Sequence, residues 1–181
     1  MKKIVSIFIA LTMLLCAVSA FATEAAPAEV TEVNWRDLQE QGAALIAQGD
    51  FVTLDEISVK FWVPNSFSAV ELTDDDRAQG YIAYFVSADQ AYAVSVMYVD
   101  ANGLSLDDYK VNLAEYGATE MEDVTINGMS ALSYVLEETD TACVSFATEA
   151  GYILEFAGAP KSDEGFAAVL AFIMASIQPE E

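Results

Sequence analysis

The chain has 181 residues, of which 29 are Asp or Glu, 7 are Lys or Arg and none is His, so its net charge is −22. Without histidine it cannot form a Ser-His-Asp triad, a Cys-His dyad, a histidine-ligated zinc site or an imidazole pH switch. The negative charge argues against a surface for nucleic acid or anionic membranes, because phosphates are bound by clustered Lys and Arg.

The first 22 residues have the features of a signal peptide. Two lysines precede an apolar run over residues 4–18, and Ala20-Phe21-Ala22 supplies the small-x-small pattern of a signal peptidase site. The run is shorter than the ~20 apolar residues that span a bilayer. We therefore expect cleavage before Thr23, an extracytoplasmic protein (secreted or periplasmic), and no membrane association after cleavage.

Removal of residues 1–22 leaves 5 basic and 29 acidic residues, a net charge of −24. Cys143 becomes the single cysteine, so an internal disulfide is excluded. A lone cysteine on a predicted strand is typical of a small buried hydrophobe, and no histidine is present to activate it. We predict a flexible lead-in over residues 23–33 and a single α+β domain over residues 34–179.

The first half of the domain is predicted to contain a helix over residues 34–48, strands over 51–54 and 57–63, and an acidic loop over 71–79. Two further strands, 80–87 and 91–100, are predicted to pair around a three-residue turn. That register pairs Ile82, Tyr84 and Val86 with Val96, Val94 and Tyr92, respectively.

The second half is predicted to contain a helix followed by a meander. Ser105 and Asp108 form a weak capping box, and Gly117 ends the helix. Asn127-Gly128 is a strong hairpin signal. The predicted strands of the meander cover residues 121–126, 129–137, 141–148 and 152–159.

The last loop of the meander distinguishes two registers. A two-residue loop would mix apolar and polar residues on each face of the sheet. A three-residue loop with Gly151 in the left-handed conformation keeps the faces separate. We predict the second register, which pairs Phe146 with Leu154, Val144 with Phe156, and Ser145 with Glu155.

A final helix is predicted over residues 163–176, with Ser162 as its cap. No charged residue lies between Phe166 and Ile177, so the helix is uncharged on all sides. A helix of this kind is usually buried on two sides. Its back (Ala168, Ala171, Phe172 and Ala175) is interpreted either as a second packing layer or as a partner surface.

The order of elements predicts an antiparallel sheet of about six strands with helices on both faces. A resemblance to a known family covers about residues 51–179. The residues that carry it are Val63-Pro64, Ser105 to Tyr109, Val124 to Gly128, Ile153 to Phe156 and Ile173 to Pro179. With these residues the chain resembles the PsbP-like α/β/α sandwich of photosystem extrinsic proteins and a Ran-binding nuclear import factor. The functions of this family vary, and many exported bacterial members have none assigned, so the resemblance implies the fold alone.

Three features of the sequence are candidate sites. Glu155 lies in the middle of a predicted strand, on the face assigned to Ser145, Cys143 and Ser133. Burial under a helix would raise its pKa, as general acid-base catalysis requires, but no pattern places a second carboxylate beside it.

Asp74-Asp75-Asp76 offers oxygen ligands for Ca²⁺, although consecutive side chains do not readily converge on one ion. Trp62 and Tyr81, opposite the most apolar face, mark either a groove or a doubly buried sheet.

We interpret the chain as an exported, non-catalytic binding or accessory domain, because no nucleophile-base pair, metal-ligand spacing or phosphate-binding glycine loop is present. The sequence predicts no catalytic, cofactor or metal site. Its acidity favours a cationic protein or peptide as the partner. The alternatives are a carboxylate-based calcium-binding protein and a carboxylate-only hydrolase centred on Glu155.

Overall fold

A computed structural model describes residues 30–180. The predicted signal peptide, residues 1–22, and most of the predicted lead-in lie outside the described residues. The end of that lead-in is not flexible coil: Thr31–Val33 forms a short strand parallel to a later one, with Thr31 beside Val124. No helix within residues 30–180 has the length and apolarity that a membrane crossing requires.

Eleven strands form two sheets in the described part of the chain. The strands are β1 (Thr31–Val33), β2 (Gly49–Leu54), β3 (Val59–Pro64), β4 (Phe67–Ala69), β5 (Tyr81–Ser87), β6 (Ala93–Asp100), β7 (Ala118–Ile126), β8 (Met129–Leu136), β9 (Thr141–Ala147), β10 (Tyr152–Ala159) and β11 (Gln178–Pro179). The large sheet has the order β1-β7-β8-β9-β10-β6-β5-β4, and the small one has the order β11-β3-β2. Every pairing is antiparallel except that of β1 with β7.

Within residues 30–180, four α-helices accompany the sheets. They are α1 (Trp35–Ile46), α2 (Asp74–Ala78), α3 (Leu106–Glu115) and α4 (Glu164–Ala175). The predicted α+β class is therefore confirmed, with eight strands in the large sheet instead of about six. The additional strands β1 and β4 have three residues each. Strands this short carry too little alternation to be recognised from sequence.

The register between β9 and β10 is as predicted. Leu154 pairs with Phe146, Glu155 with Ser145, and Phe156 with Val144. Gly151 has φ = +83°, the left-handed conformation that a three-residue loop requires.

The register predicted between β5 and β6 is wrong by one residue. Val94 pairs with Phe85 and Val96 with Ala83, and an irregularity between Tyr81 and Ala83 absorbs Ile82. The physical reason is the connecting loop. The Ser87 N–H donates to the Tyr92 carbonyl at 2.9 Å, which leaves four residues, 88–91, in the loop instead of three. Its Asp89 carboxylate accepts hydrogen bonds from the Ser87 hydroxyl and the Ala91 N–H, at 2.6 and 3.1 Å.

Helix α4 is buried between the large sheet and the layer formed by α1 and β3. On the large sheet, Leu170 fits over Gly158, where an added Cβ would overlap a Leu170 methyl group. On its other side, the Phe172 ring lies 4.8 Å from that of Trp35 and 5.2 Å from that of Trp62. The uncharged back of the helix is therefore a second packing layer. Its cap is Asp163, one residue after the predicted Ser162, because the Asp163 carboxylate accepts the Phe166 N–H at 2.8 Å.

Asn127 ties the β7–β8 hairpin to the rest of the core. Asn127 and Gly128 both have positive φ, 49° and 81°, as the two central residues of a type I′ turn require. The Asn127 side-chain oxygen accepts the Trp35 N–H at 2.6 Å, and its amide donates to the carbonyls of Ala175 and Ile177 at 3.0 and 2.7 Å. The Asn127 side chain thus connects the β7–β8 hairpin turn to the start of α1 and to the end of α4.

We expect Asn127→Gly to keep the turn conformation but destabilise the domain by about 2–4 kcal/mol, because three part-buried hydrogen bonds are lost. The matched control is Asn102→Gly. Asn102 also precedes a glycine and has φ = 52°, but its side chain makes no hydrogen bond within residues 30–180. Urea unfolding compares the two variants, and equal losses of stability would contradict the role assigned to the Asn127 side chain.

Candidate functional site

Glu155 lies beneath helix α3, in a cluster of hydroxyl groups. The helix packs on β7, β8 and β9, and its Tyr109 hydroxyl donates to the Glu155 Oε2 at 3.3 Å. The Tyr134 hydroxyl from β8 donates to the same oxygen and lies 3.3 Å from the Ser145 hydroxyl. The sequence identified Glu155 as unusual but not its two tyrosine partners.

Of the three residues predicted to share a sheet face with Glu155, two do so. Ser145 pairs directly with Glu155, and Cys143 belongs to the same buried cluster as Tyr134. Ser133, in contrast, pairs with Val144 and faces the opposite side of the sheet. The prediction for Ser133 was wrong because the connection between β8 and β9 has four residues instead of the predicted three, which shifts the pairing by one residue. Asp140 in this connection has the left-handed conformation, with φ = 51°.

The groups around Glu155 are held in their protonated forms. Burial and then the negative charge of Glu155 raise the pKa of Tyr109 to about 12, and the same two causes raise the pKa values of Tyr134 and Cys143. A thiolate or phenolate nucleophile is therefore disfavoured. Cys143 is 1% exposed, as expected for a small buried hydrophobe.

The three consecutive aspartates lie in a helix, not in the predicted loop. They form the first turn of α2, where the Thr73 hydroxyl accepts the Asp76 N–H and the Asp76 carboxylate accepts the Thr73 N–H at 2.8 Å. The Thr73 hydroxyl also donates to the Asp76 carboxylate at 2.7 Å, and this bond, followed by the one from the Thr73 N–H, lowers the pKa of Asp76. Successive helical side chains point about 100° apart, so the three carboxylates do not converge. Within residues 30–180, no three metal-ligating side chains are grouped to hold an ion.

Trp62 and Tyr81 do not form a common groove. Trp62 belongs to the small sheet, is 0% exposed, and donates its indole N–H to the Ile46 carbonyl at 3.2 Å. Tyr81 begins β5 in the large sheet, is half-buried, and packs edge-on against Tyr84 with ring centroids 6.4 Å apart.

A cleft of about 710 Å³ lies beside the N-terminal end of α4. Its walls come from the end of α1, from the continuous stretch of β3, the following turn and β4, from Tyr92 just before β6, and from the start of α4. The lining residues are Leu45, Ala47, Gln48, Trp62, Pro64, Asn65, Ser66, Phe67, Tyr92, Asp163, Gly165, Phe166 and Val169. Because these residues come from four separate segments of the chain, no single motif in the sequence indicates the cleft.

Aromatic rings and one carboxylate give the cleft its chemistry. The rings of Tyr92 and Phe67 both stack with that of Phe166, with centroid distances of 4.7 and 6.1 Å. Asp163 is the only charged residue among the described residues that line the cleft. Its Oδ2 accepts the Tyr92 hydroxyl at 3.1 Å, an interaction that raises the pKa of Tyr92. The arrangement suits an apolar group that carries a positive charge.

Comparison with solved structures identifies the fold. The chain matches the solution structure of cyanobacterial PsbP (CyanoP) from Synechocystis sp. PCC 6803 with a TM-score of 0.55 and 15% sequence identity, covering 74% of this chain and 94% of that one. It also matches the Ran-binding protein Mog1p of Saccharomyces cerevisiae, with a TM-score of 0.44 and 11% identity over 74% of this chain and 96% of the other. No protein-family model and no curated protein matches the sequence.

The chain therefore has a PsbP-like fold, as its order of elements indicated. At 15% identity the likeness describes the fold alone, so the function has to be argued from this chain's own residues.

We expect the stability of the domain to be independent of tyrosine ionisation below pH 10 and to fall between pH 10 and 12. The pKa of Tyr109 is raised from 10.0 to about 12 in the folded protein, so the unfolded chain releases this proton first as the pH rises. Thermal unfolding against pH measures the effect, with absorbance at 295 nm reporting phenolate. Tyr109→Phe should weaken this dependence, and an unchanged dependence in that variant would contradict the assignment.

We expect Glu155→Ala to destabilise the domain by about 1–3 kcal/mol, because the hydroxyls of Tyr109 and Tyr134 lose their shared acceptor. Glu155→Gln keeps an acceptor oxygen at the same place and should be less damaging. Urea unfolding of both variants tests this. If the alanine variant is as stable as the glutamine variant, the hydroxyl cluster does not depend on that acceptor.

Proposed function

We propose that this protein is an exported, non-catalytic binding or accessory domain whose partner is a cationic protein or peptide. The features of residues 1–22 support export to an extracytoplasmic location, since they match a signal peptide. The PsbP-like fold is compatible with a binding role but does not define a ligand.

The charge distribution supports a cationic partner. The chain has 29 acidic and 7 basic residues. Two of the basic side chains already have acidic neighbours: Lys110 lies 2.8 Å from Asp123, while Lys161 lies 3.3 Å from Glu120 and 3.4 Å from Glu137. An excess of negative charge attracts cations over long range and speeds their association.

The observation that carries the proposal is the cleft with its single carboxylate. General acidity attracts any cation, whereas a concave site with stacked aromatic rings discriminates by shape. Asp163 is fixed there by two hydrogen bonds, from the Phe166 N–H and the Tyr92 hydroxyl. A basic residue with an apolar neighbour could place its charge near Asp163 and the neighbour against the aromatic rings. The apolar stem of a lysine or arginine could itself contact the rings.

The two alternative functions have less support from the geometry. A hydrolase centred on Glu155 requires a second carboxylate at about 5–10 Å. Among the described residues, Glu155 is the one carboxylate that hydrogen-bonds to Tyr109 or Tyr134 or raises their pKa values. A calcium-binding function would require ligands in addition to the aspartates of α2, which do not converge.

We expect the mature chain, residues 23–181, to bind the acetylated and amidated heptapeptide Lys-Val-Lys-Phe-Lys-Val-Lys, and Asp163→Asn to weaken binding about three- to tenfold. Loss of one ion pair accounts for about 1 kcal/mol, and asparagine caps a helix as well as aspartate does, so the fold is kept. Isothermal titration calorimetry at low ionic strength measures the affinity.

The matched control is Asp107→Asn, which removes the same charge from the exposed first turn of α3. The heptapeptide with Glu in place of every Lys tests the sign of the charge. Equal weakening by the two Asp→Asn variants would mean that diffuse charge, not the cleft, binds the peptide. Equal affinity for the acidic peptide would refute the preference for cations.

A further inference from the structure

Strand β4 ends the large sheet and leaves one edge of it unpaired. The Ala88 N–H donates to the Ser66 carbonyl at 3.1 Å, and the Val70 N–H donates to the Tyr84 carbonyl at 2.8 Å. Backbone groups alternate in direction along an antiparallel strand. The N–H and C=O groups of Phe67 and Ala69 therefore point away from β5, and within residues 30–180 no strand pairs with them.

Strand β4 has three residues, and a short edge strand is one way in which natural proteins protect an exposed edge. They also use charged residues, prolines, bulges or a covering element. Residues 66–70 have the sequence Ser-Phe-Ser-Ala-Val, without a charge or a proline, and Val70 is 41% exposed. Ser68 and Ala69 are exposed as well. The unpaired groups are thus accessible to another chain.

The free edge adjoins the cleft. Phe67, the first residue of β4, is part of the cleft wall and stacks on Phe166. The edge strand β2 of the small sheet contributes none of its residues to the wall. A chain that extends along β4 would therefore place the side chains on one of its faces towards the cleft, since side chains alternate along a strand.

The charge around the edge selects the kind of chain. Residues 65–77 contain Glu71 and the three aspartates of α2 against one basic residue, Arg77. Asp163 supplies a further carboxylate on the side of the cleft. Basic side chains on an added strand would meet negative charge beyond the end of β4 and within the cleft.

We propose that an extended cationic peptide segment adds to β4 as a ninth strand of the large sheet and inserts an apolar side chain into the cleft. The backbone of Phe67 and Ala69 supplies hydrogen bonds that are independent of the peptide's sequence, and the cleft and its acidic surroundings supply selectivity. This inference rests on the proposed function, since it specifies how the cationic partner is bound.

The test is backbone amide exchange, measured by NMR on residues 23–181 with and without the Lys-Val-Lys-Phe-Lys-Val-Lys peptide. Strand addition should slow exchange at the Phe67 and Ala69 amides at least tenfold. The Phe51 and Thr53 amides, on the free edge of β2, serve as the control and should be unaffected. Binding with unchanged exchange at Phe67 and Ala69 would overturn strand addition and leave the proposed function standing. Failure to bind at millimolar peptide would overturn both.

A second measurement needs no variant of the protein. Two forms of the peptide are compared, one N-methylated at its apolar residues and one at its second and third lysines. Neighbouring residues of an added strand point their N–H groups in opposite directions, so one form should lose affinity at least tenfold and the other should keep it. Loss for the apolar form indicates antiparallel addition, and loss for the lysine form indicates parallel addition. Equal affinities of the two forms would overturn the proposal.

Discussion

The burial of helix α4 on both sides determines how the other elements are arranged. Leu170 rests on Gly158 of the large sheet, and Phe172 packs against the indole rings of Trp35 and Trp62 on the other side. An apolar side chain of this size contributes about 1.5–3 kcal/mol when it is fully buried, so neither contact layer is dispensable. The N-terminal end of the same helix supplies Asp163 and Phe166 to the cleft, and core and candidate site therefore share one element.

The sequence predicts the pairing register of two strands correctly where only one length of the connecting loop fits their apolar residues. The loop with Gly151 could have only one length that kept apolar residues on one face, and the β9–β10 pairing follows that prediction. The loops before β6 and β9 are each one residue longer than predicted. Their lengths depend on hydrogen bonds of Asp89 and on the left-handed conformation of Asp140, which hydrophobic alternation does not report.

The candidate site was less predictable than the fold. Glu155 is recognisable in the sequence because a charge interrupts an apolar strand, yet the hydroxyls of Tyr109 and Tyr134 that stabilise it come from α3 and β8. For Asp163, the sequence indicated only the start of a helix and no role in a site. Its role as the charged group of the cleft depends on Tyr92, 71 residues away along the chain. Sites assembled from distant segments leave no local pattern to read.

In the proposed binding mode, the open edge of β4 and the adjacent cleft form one binding site for a cationic strand. The most direct measurement is a crystal structure of residues 23–181 with the lysine-containing heptapeptide bound. We expect a ninth strand beside Phe67 and Ala69, with an apolar side chain in the cleft near Asp163. A peptide bound on the face covered by α3, or across the first turn of α2, would contradict this binding mode.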